Sequence, residues 1–384
     1  MKLIQNATLY QLSGHLLADQ DVRIENGKIT EIGSNLDPKS AELIDAQGAL
    51  LFPGFIDAHC HLGMWEDGIG FEGADGNEAV DPVTPHMRAI DGINPMDRTF
   101  EEARNGGITA CASGPGSANV LGGSFAAIKT VGNRIDDMII QAPLAMKCAF
   151  GENPKRVYDG QKKTPSTRMG TAATLRETLF KAKEYWTKKD QNQDDPSKQP
   201  GFDMKMEALG PVLKKEIPLK AHAHRADDIF SAIRIAKEFD LNLTLDHCTE
   251  GHLIADHLAT EGYPALVGPS LSERSKFELQ NLTFDTPGVL HQAGVKVAII
   301  TDSPVIPLQY LPICAALASK HGLPKEEAIK AITINAAEIL GLDDRIGSVE
   351  VGKDADLVLW DQHPFHYESK VLMTIINGNI VYQA

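Results

Sequence analysis

Positive charge is what this chain is short of. Its 384 residues hold 37 Lys and Arg against 52 Asp and Glu, a net charge of −15. A field of that sign repels a phosphate backbone, so nucleic acid is excluded as a natural partner. Cysteine is scarce as well. Cys60, Cys111, Cys148, Cys248 and Cys314 form an odd, scattered set with neither a paired metal-binding spacing nor a disulfide framework, which fits a reducing cytoplasm. No window approaches the apolar run of about 18 residues that a membrane span needs. The opening stretch MKLIQNATLYQLSGHLLADQDVRI is broken by polar residues and has no signal-peptide core. The phosphate loop GxxxxGK[ST] is absent too. What is present is 42% hydrophobic and 23% charged residues, the composition of a soluble globular protein with a sizeable core. The length excludes a short peptide module and suits one large domain with a smaller one.

Residues 1–52 read as short strands separated by turns, among them an Asn-Gly turn at Asn26 and Gly27. The last stretch, with SVEVGKDADLVLWD and KVLMTIINGNIVY, has the same texture. A small sheet domain built from both chain ends, residues 1–52 and 346–384, is therefore expected. Between them, over residues 53–345, apolar strand-like runs alternate with helical patterns such as TAATLRETLFKAKEYWTKK, DDIFSAIRIAKEF and KEEAIKAITINAAEIL, so the centre is α/β with repeated βα units. Functional side chains follow several separate strands, which favours a closed eight-stranded barrel over an open doubly wound sheet. Residues 188–202 read as a solvated loop. The Gly-rich, acidic run 63–96 reads as a rim loop or a plain connector carrying Trp65, Phe71 and Met87.

The chemistry collects at strand ends. In GFIDAHCHLG, Asp57, His59 and His61 recur at intervals of two, and a strand's period of two puts all three on one face, where the imidazoles can share a cation. LKAHAHRADD ends a further strand with His222 and His224, and TLDHC ends the next with His247. In a barrel these ends converge on one rim, so His222 and His247 are expected to hold a second cation beside the first. Asp302, closing VKVAIITDSP, supplies the negative ligand and proton acceptor that neutral imidazoles lack. Two neighbouring cations repel and call for a bridging anion. Glu152 in MKCAFGENPKR is preferred, because Lys147 could serve only if carboxylated. Arg168 and Arg225 are candidate clamps for a substrate carboxylate or phosphate. His224 is a candidate for orienting substrate or supporting the ligands. ASGPGSANVLGGSF, residues 112–125, reads as a Gly and Ser rich turn whose N–H groups could meet an anion.

PGFIDAHCH after an N-terminal sheet, strand-end His222 and His247, Asp302 in TDSP, and TINAAEILGLDDRIGSVEVGKDADLVLWD together resemble the metal-dependent amidohydrolase superfamily, and within it the imidazolonepropionase-related branch. The resemblance implies a distorted (β/α)8 TIM barrel beside a composite β-sandwich. It also implies one or two divalent ions, zinc foremost with manganese, iron and cobalt as alternatives, and hydrolysis of amide or other carbon–nitrogen bonds in small molecules. By position it makes His59 and His61 first-strand ligands, His222 and His247 those of the fifth and sixth strands, and Asp302 the eighth-strand ligand and proton shuttle. The bridge is a carboxylated Lys or a Glu in such enzymes, and homo-oligomers are frequent. The sequence departs where imidazolonepropionases carry an acidic residue after the fifth-strand His and this chain has Arg225, so that substrate does not transfer. A deaminase of an aminated heterocycle is the rival activity, and a non-catalytic binding protein on a barrel scaffold is the rival from another class.

Overall fold

Apolar residues separated by turn formers build the first sheet strands. The computed structural model describes residues 1–384 and begins with β1 (Lys2–Tyr10), β2 (Leu16–Glu25), β3 (Lys28–Gly33), β4 (Glu42–Asp45) and β5 (Leu50–Pro53). Asn26 and Gly27, with φ of 50° and 78°, form the turn between β2 and β3, as a tight hairpin requires. β1 pairs antiparallel with β2 and parallel with β4 and β5.

The next eight strands form a second sheet, hydrogen-bonded in chain order: β6 (Phe55–Cys60), β7 (Ile108–Ser113), β8 (Leu121–Lys129), β9 (Ile139–Ala149), β10 (Leu219–Ala223), β11 (Leu243–His247), β12 (Ala265–Val267) and β13 (Val297–Ile299). Most are buried on both faces, which is why they read as continuous apolar runs instead of alternating ones. Helices Arg168–Gln191, Ala226–Phe239, Ala255–Glu261 and Thr286–Gln292 link β9 through β13. Leu175, Leu179, Ile229 and Ile233 from the first two pack with Met146, Leu219 and Leu243 of the strands, each contributing about 1.5–3 kcal/mol by leaving water. No helix is long and apolar enough to cross a membrane.

The barrel is distorted in two places. β8 runs antiparallel to both neighbours, β7 and β9, so residues 112–125 are not one turn but the end of β7, a link, and the start of β8. LGGSFAAIK escapes recognition as a strand because both its faces are buried and its residues are mostly small. No crossover helix covers it. Residues of the 63–96 run lie alongside instead, bridging Val83 to Leu121 and Arg88 to Ser124. The second distortion closes the barrel. KEEAIKAITINAAEIL forms two helices, Lys325–Lys330 and Ile334–Leu340, and not the single one its periodicity predicts. The break turns two carbonyls toward the sheet, where Ala331 accepts from the N–H of Ile299 (3.0 Å) and Ile332 from that of Ile56 (2.8 Å). β13 and β6 are thus sealed through this turn.

Three final strands, β14 (Leu357–Trp360), β15 (Val371–Ile376) and β16 (Asn379–Gln383), return to the first sheet. β14 pairs antiparallel with β5, completing the order β16-β15-β14-β5-β1-β2-β3 with β4 on β1. Ile4, Val22, Ile24, Leu51, Leu357 and Ile375 share one core. Buried Lys129, at the end of β8, ties the two sheets by ion pairs to Asp354 (3.0 Å) and Asp356.

Candidate metal centre

The site starts at the end of β6, where the rings of His59 and His61 lie 5.3 Å apart. Asp57 does not join them. Its carboxylate accepts from the N–H of His59 (2.9 Å), the N–H of Thr301 (2.9 Å) and the Thr301 hydroxyl (2.6 Å), fastening β6 to the residues just beyond β13. These donors satisfy a carboxyl whose burial pushes it up to about 7.

Carbonyl and carboxylate oxygens only accept, and this decides the tautomers. The Nδ1–H of His59 donates to Asp246 (2.6 Å), that of His61 to the Gly114 carbonyl (2.7 Å) and that of His247 to the Gly268 carbonyl (2.8 Å). Each ring therefore commits its Nδ1 to the scaffold and leaves its Nε2 as the atom that can meet a metal. Burial, with nearby cationic groups, lowers His59 to about 4 and holds His222, His224 and His247 well below the ordinary histidine range. The rings stay neutral and keep their lone pairs. His222 Nδ1, His247 Nε2 and Asp302 Oδ1 are buried without a hydrogen-bond partner, as unsaturated ligand atoms would be.

Two groups result. His59, His61 and Asp302 each offer a ligand atom within 4.8 Å of the others, and so do His222, His224 and His247. A zinc ion bound at about 2.0–2.1 Å draws its ligand atoms roughly 3–4 Å apart, so small rotations suffice. Asp302 Oδ1 lies 3.1 Å from His61 Nε2 and 3.5 Å from His59 Nε2, outside hydrogen-bond geometry for both. His59 and His247 bring the groups together, with ring centres 5.0 Å apart. His247 and Asp302 hold left-handed φ values of 71° and 54°, a strain on the order of 1 kcal/mol or more that aims side chains off their strand ends.

Lys147, and not Glu152, lies against the first of these groups. It is fully buried on β9 with Nζ 3.2 Å from His59 Nε2, and burial, opposed by Asp246 and Asp302, lowers its ammonium to about 8. Glu152 belongs to neither group. Gly151, at φ 80°, turns the chain from β9 into the helix Glu152–Gly160, and the backbone N–H of Glu152 donates to Glu278.

The arginines are already engaged. Arg168 pairs with Asp228 (2.9 Å) and Arg225 with Asp227 (2.9 Å), so neither stands as a free clamp. His224 joins the second group, its Nδ1 2.8 Å from the Thr249 hydroxyl oxygen. Trp65 of the 63–96 run meets His61 edge-on with ring centres 5.0 Å apart, while Phe71 is exposed. Several residues escaped the sequence reading. Asp246 holds His59, pairs with buried Lys220 (3.2 Å) and accepts from Thr244 (2.9 Å). Burial alone would raise it, but Lys220 and His59 outweigh that and keep it ionised. A signal was there: Lys220 is two residues before His222 and Thr244 two before Asp246, polar residues in phase inside apolar strands. Glu278 gave none, being an acidic residue in a polar loop.

The amidohydrolase family model matches residues 50–381. An amidohydrolase designated tasK from Hapsidospora irregularis is 30% identical over 93% of this chain, which spans 39% of that relative's length. The imidazolonepropionase of Bacillus cytotoxicus is 24% identical, covering 94% of this chain and 88% of its own. The crystal structure of an amidohydrolase from Thermotoga maritima superposes with a TM-score of 0.97 at 46% identity, covering 100% of both chains. A barrel whose strand ends carry two ligand groups, matched across nearly its whole length by that family model, means that the chain belongs to the amidohydrolase family.

Proposed function

We propose that this protein hydrolyses a carbon–nitrogen bond in a small amide, open or cyclic, at two divalent ions bridged by carboxylated Lys147. The observation that carries the reading is the pair of three-ligand groups with a buried amine of lowered pKa against His59. His59, His61 and Asp302 would hold one ion and His222 and His247, with His224 beside them, the other. The ions, when bound, supply Lewis-acid charge that acidifies water and polarises a carbonyl. Lys147 contributes its neutral amine, which would add to carbon dioxide and release a proton, giving a carbamate anion that the two ions could share. Asp302 accepts the proton of the attacking water and delivers it to the leaving nitrogen, so the amide opens to a carboxylate and an amine. Asp246 keeps the His59 ring in the ligating tautomer. Five free, buried cysteines agree with a reducing cytoplasm as the place of work.

The test is a panel of lactams, N-acyl amino acids, dipeptides and cyclic ureides offered to zinc- and manganese-loaded protein. Asp302→Asn should fold normally by circular dichroism yet lose at least about 100-fold in kcat. Undiminished turnover in that variant would remove Asp302 from its role. Ammonia released from an aminated heterocycle, with no amide or ring opened, would replace this reading by a deaminase.

A further inference from the structure

Glu278 lies beyond β12 in the short turn Phe277–Leu279 and is 1% exposed. Its Oε2 accepts from the backbone N–H of Glu152 (2.9 Å). Its Oε1 is buried and accepts nothing, although His224 Nε2 is 3.7 Å away, Lys276 Nζ 3.8 Å and His222 Nε2 3.9 Å. A buried carboxylate oxygen without a donor is costly and persists where a ligand supplies one. The surrounding groups do not. The His222 and His224 ring nitrogens stop beyond hydrogen-bond distance of it. Arg168 and Arg225 are committed to Asp228 and Asp227. Lys276, with 24% of its side chain exposed, stops 3.8 Å from Oε1 and makes no hydrogen bond to it.

The backbone makes room for this carboxylate. A Cβ on Gly151 would stand 2.7 Å from Glu278 Oε2, and φ there is +80°, so glycine allows the turn after β9 to approach so closely. Glu278 therefore reaches the ring of His222, one of the proposed ligands, from a loop unrelated to the strands that carry them. The net charge of −15 draws cations to the molecule and disfavours anions.

We propose that Glu278 Oε1 receives an N–H of the substrate and that the enzyme selects amides bearing a free, protonated amino group. This rests on the hydrolase reading and names its substrate class. It also replaces an expected arginine–carboxylate contact by a carboxylate–ammonium one, which is charge-assisted and directional.

The probes are matched pairs, an L-aminoacyl dipeptide against its des-amino acyl counterpart, offered to zinc-loaded protein in turnover assays and in calorimetry. Wild type should favour the amino-bearing member roughly ten- to hundredfold. Glu278→Gln should bring that ratio close to one, mainly through a higher KM for the amino-bearing member, at unchanged zinc content. Glu278→Asp, which keeps the charge but withdraws the oxygen, should retain part of the preference. A wild-type ratio near one, a ratio indifferent to both substitutions, or a Glu278→Gln protein that loses zinc and acts equally poorly on both members overturns the assignment. Preferential binding without turnover sinks the hydrolase reading and leaves the Glu278 assignment standing; equal affinity for both members, or none for either, sinks the Glu278 assignment.

Discussion

Lys147 shows how burial weakens an ammonium's hold on its proton. With its amine sealed beside His59 and its pKa lowered to about 8, the neutral form that carbon dioxide requires is accessible near physiological pH. Lys147→Met is expected to bind about one zinc equivalent where wild type binds two, and to lose at least about 100-fold in kcat, with metal counted by mass spectrometry. Protein equilibrated with 13C-bicarbonate should show a carbamate resonance that the variant lacks. A variant that retained two equivalents would remove Lys147 from the bridge. The histidines of this centre were legible because they interrupt apolar strands at a period of two. The proposed bridge was not. Lys147 lies inside β9 and Glu152 just after it, and the sequence does not tell which of the two is fully removed from water, as Lys147 is.

At the scale of elements, recognition failed where a local pattern was overruled by a distant partner. β8 is a strand because Leu121–Lys129 pairs with β7 and β9, although small residues give it no alternation to read. The helix at 325–340 is interrupted because two of its carbonyls serve β6 and β13. The segment between β14 and β15 offers a further case in His363, which packs edge-on against Phe52 (5.6 Å) and accepts the Phe365 N–H on Nδ1 (3.1 Å). Burial first, then Lys325 and His366, lowers its pKa from 6.5 to about 4. The unfolded chain thus binds a proton that the folded one refuses. Its contribution to stability is whole above about pH 6.5 and is lost as pH falls toward 4. His59, lowered by the same amount, acts in the same direction. The melting temperature should therefore fall over this window, and His363→Leu should flatten part of the fall; an unaltered pH profile would show that His363 titrates normally.

Across the whole molecule, the ligand groups couple metal binding to folding. Donors on β6, β10 and β11, together with Asp302 after β13, converge only when the barrel is closed, so a bound ion stabilises the native state over the unfolded chain. At free zinc near 100 times the dissociation constant the gain is about 2.7 kcal/mol per site. Exhaustive chelation should lower the melting temperature by several degrees and added zinc should restore it, as followed by calorimetry. A melting temperature indifferent to both treatments would mean that no ion is held by the folded barrel. The terminal sheet shares in this cooperativity, since Lys129 of the barrel is locked between Asp354 and Asp356, and losing one partner of such a buried set costs about 3–5 kcal/mol.

The amino-acid order alone determined the α/β class, the sheet-forming ends, the eight-stranded barrel and five of the side chains proposed as ligands, because periodicity and strand-end polarity are properties of neighbouring residues. Tertiary structure decided the direction of β8, the inward place of Lys147, the engagement of Arg168 and Arg225 with aspartates, and the buried, half-satisfied carboxylate of Glu278. These depend on which groups are removed from water together, and the desolvation of a charge is set by everything packed around it, most of which lies far away along the chain.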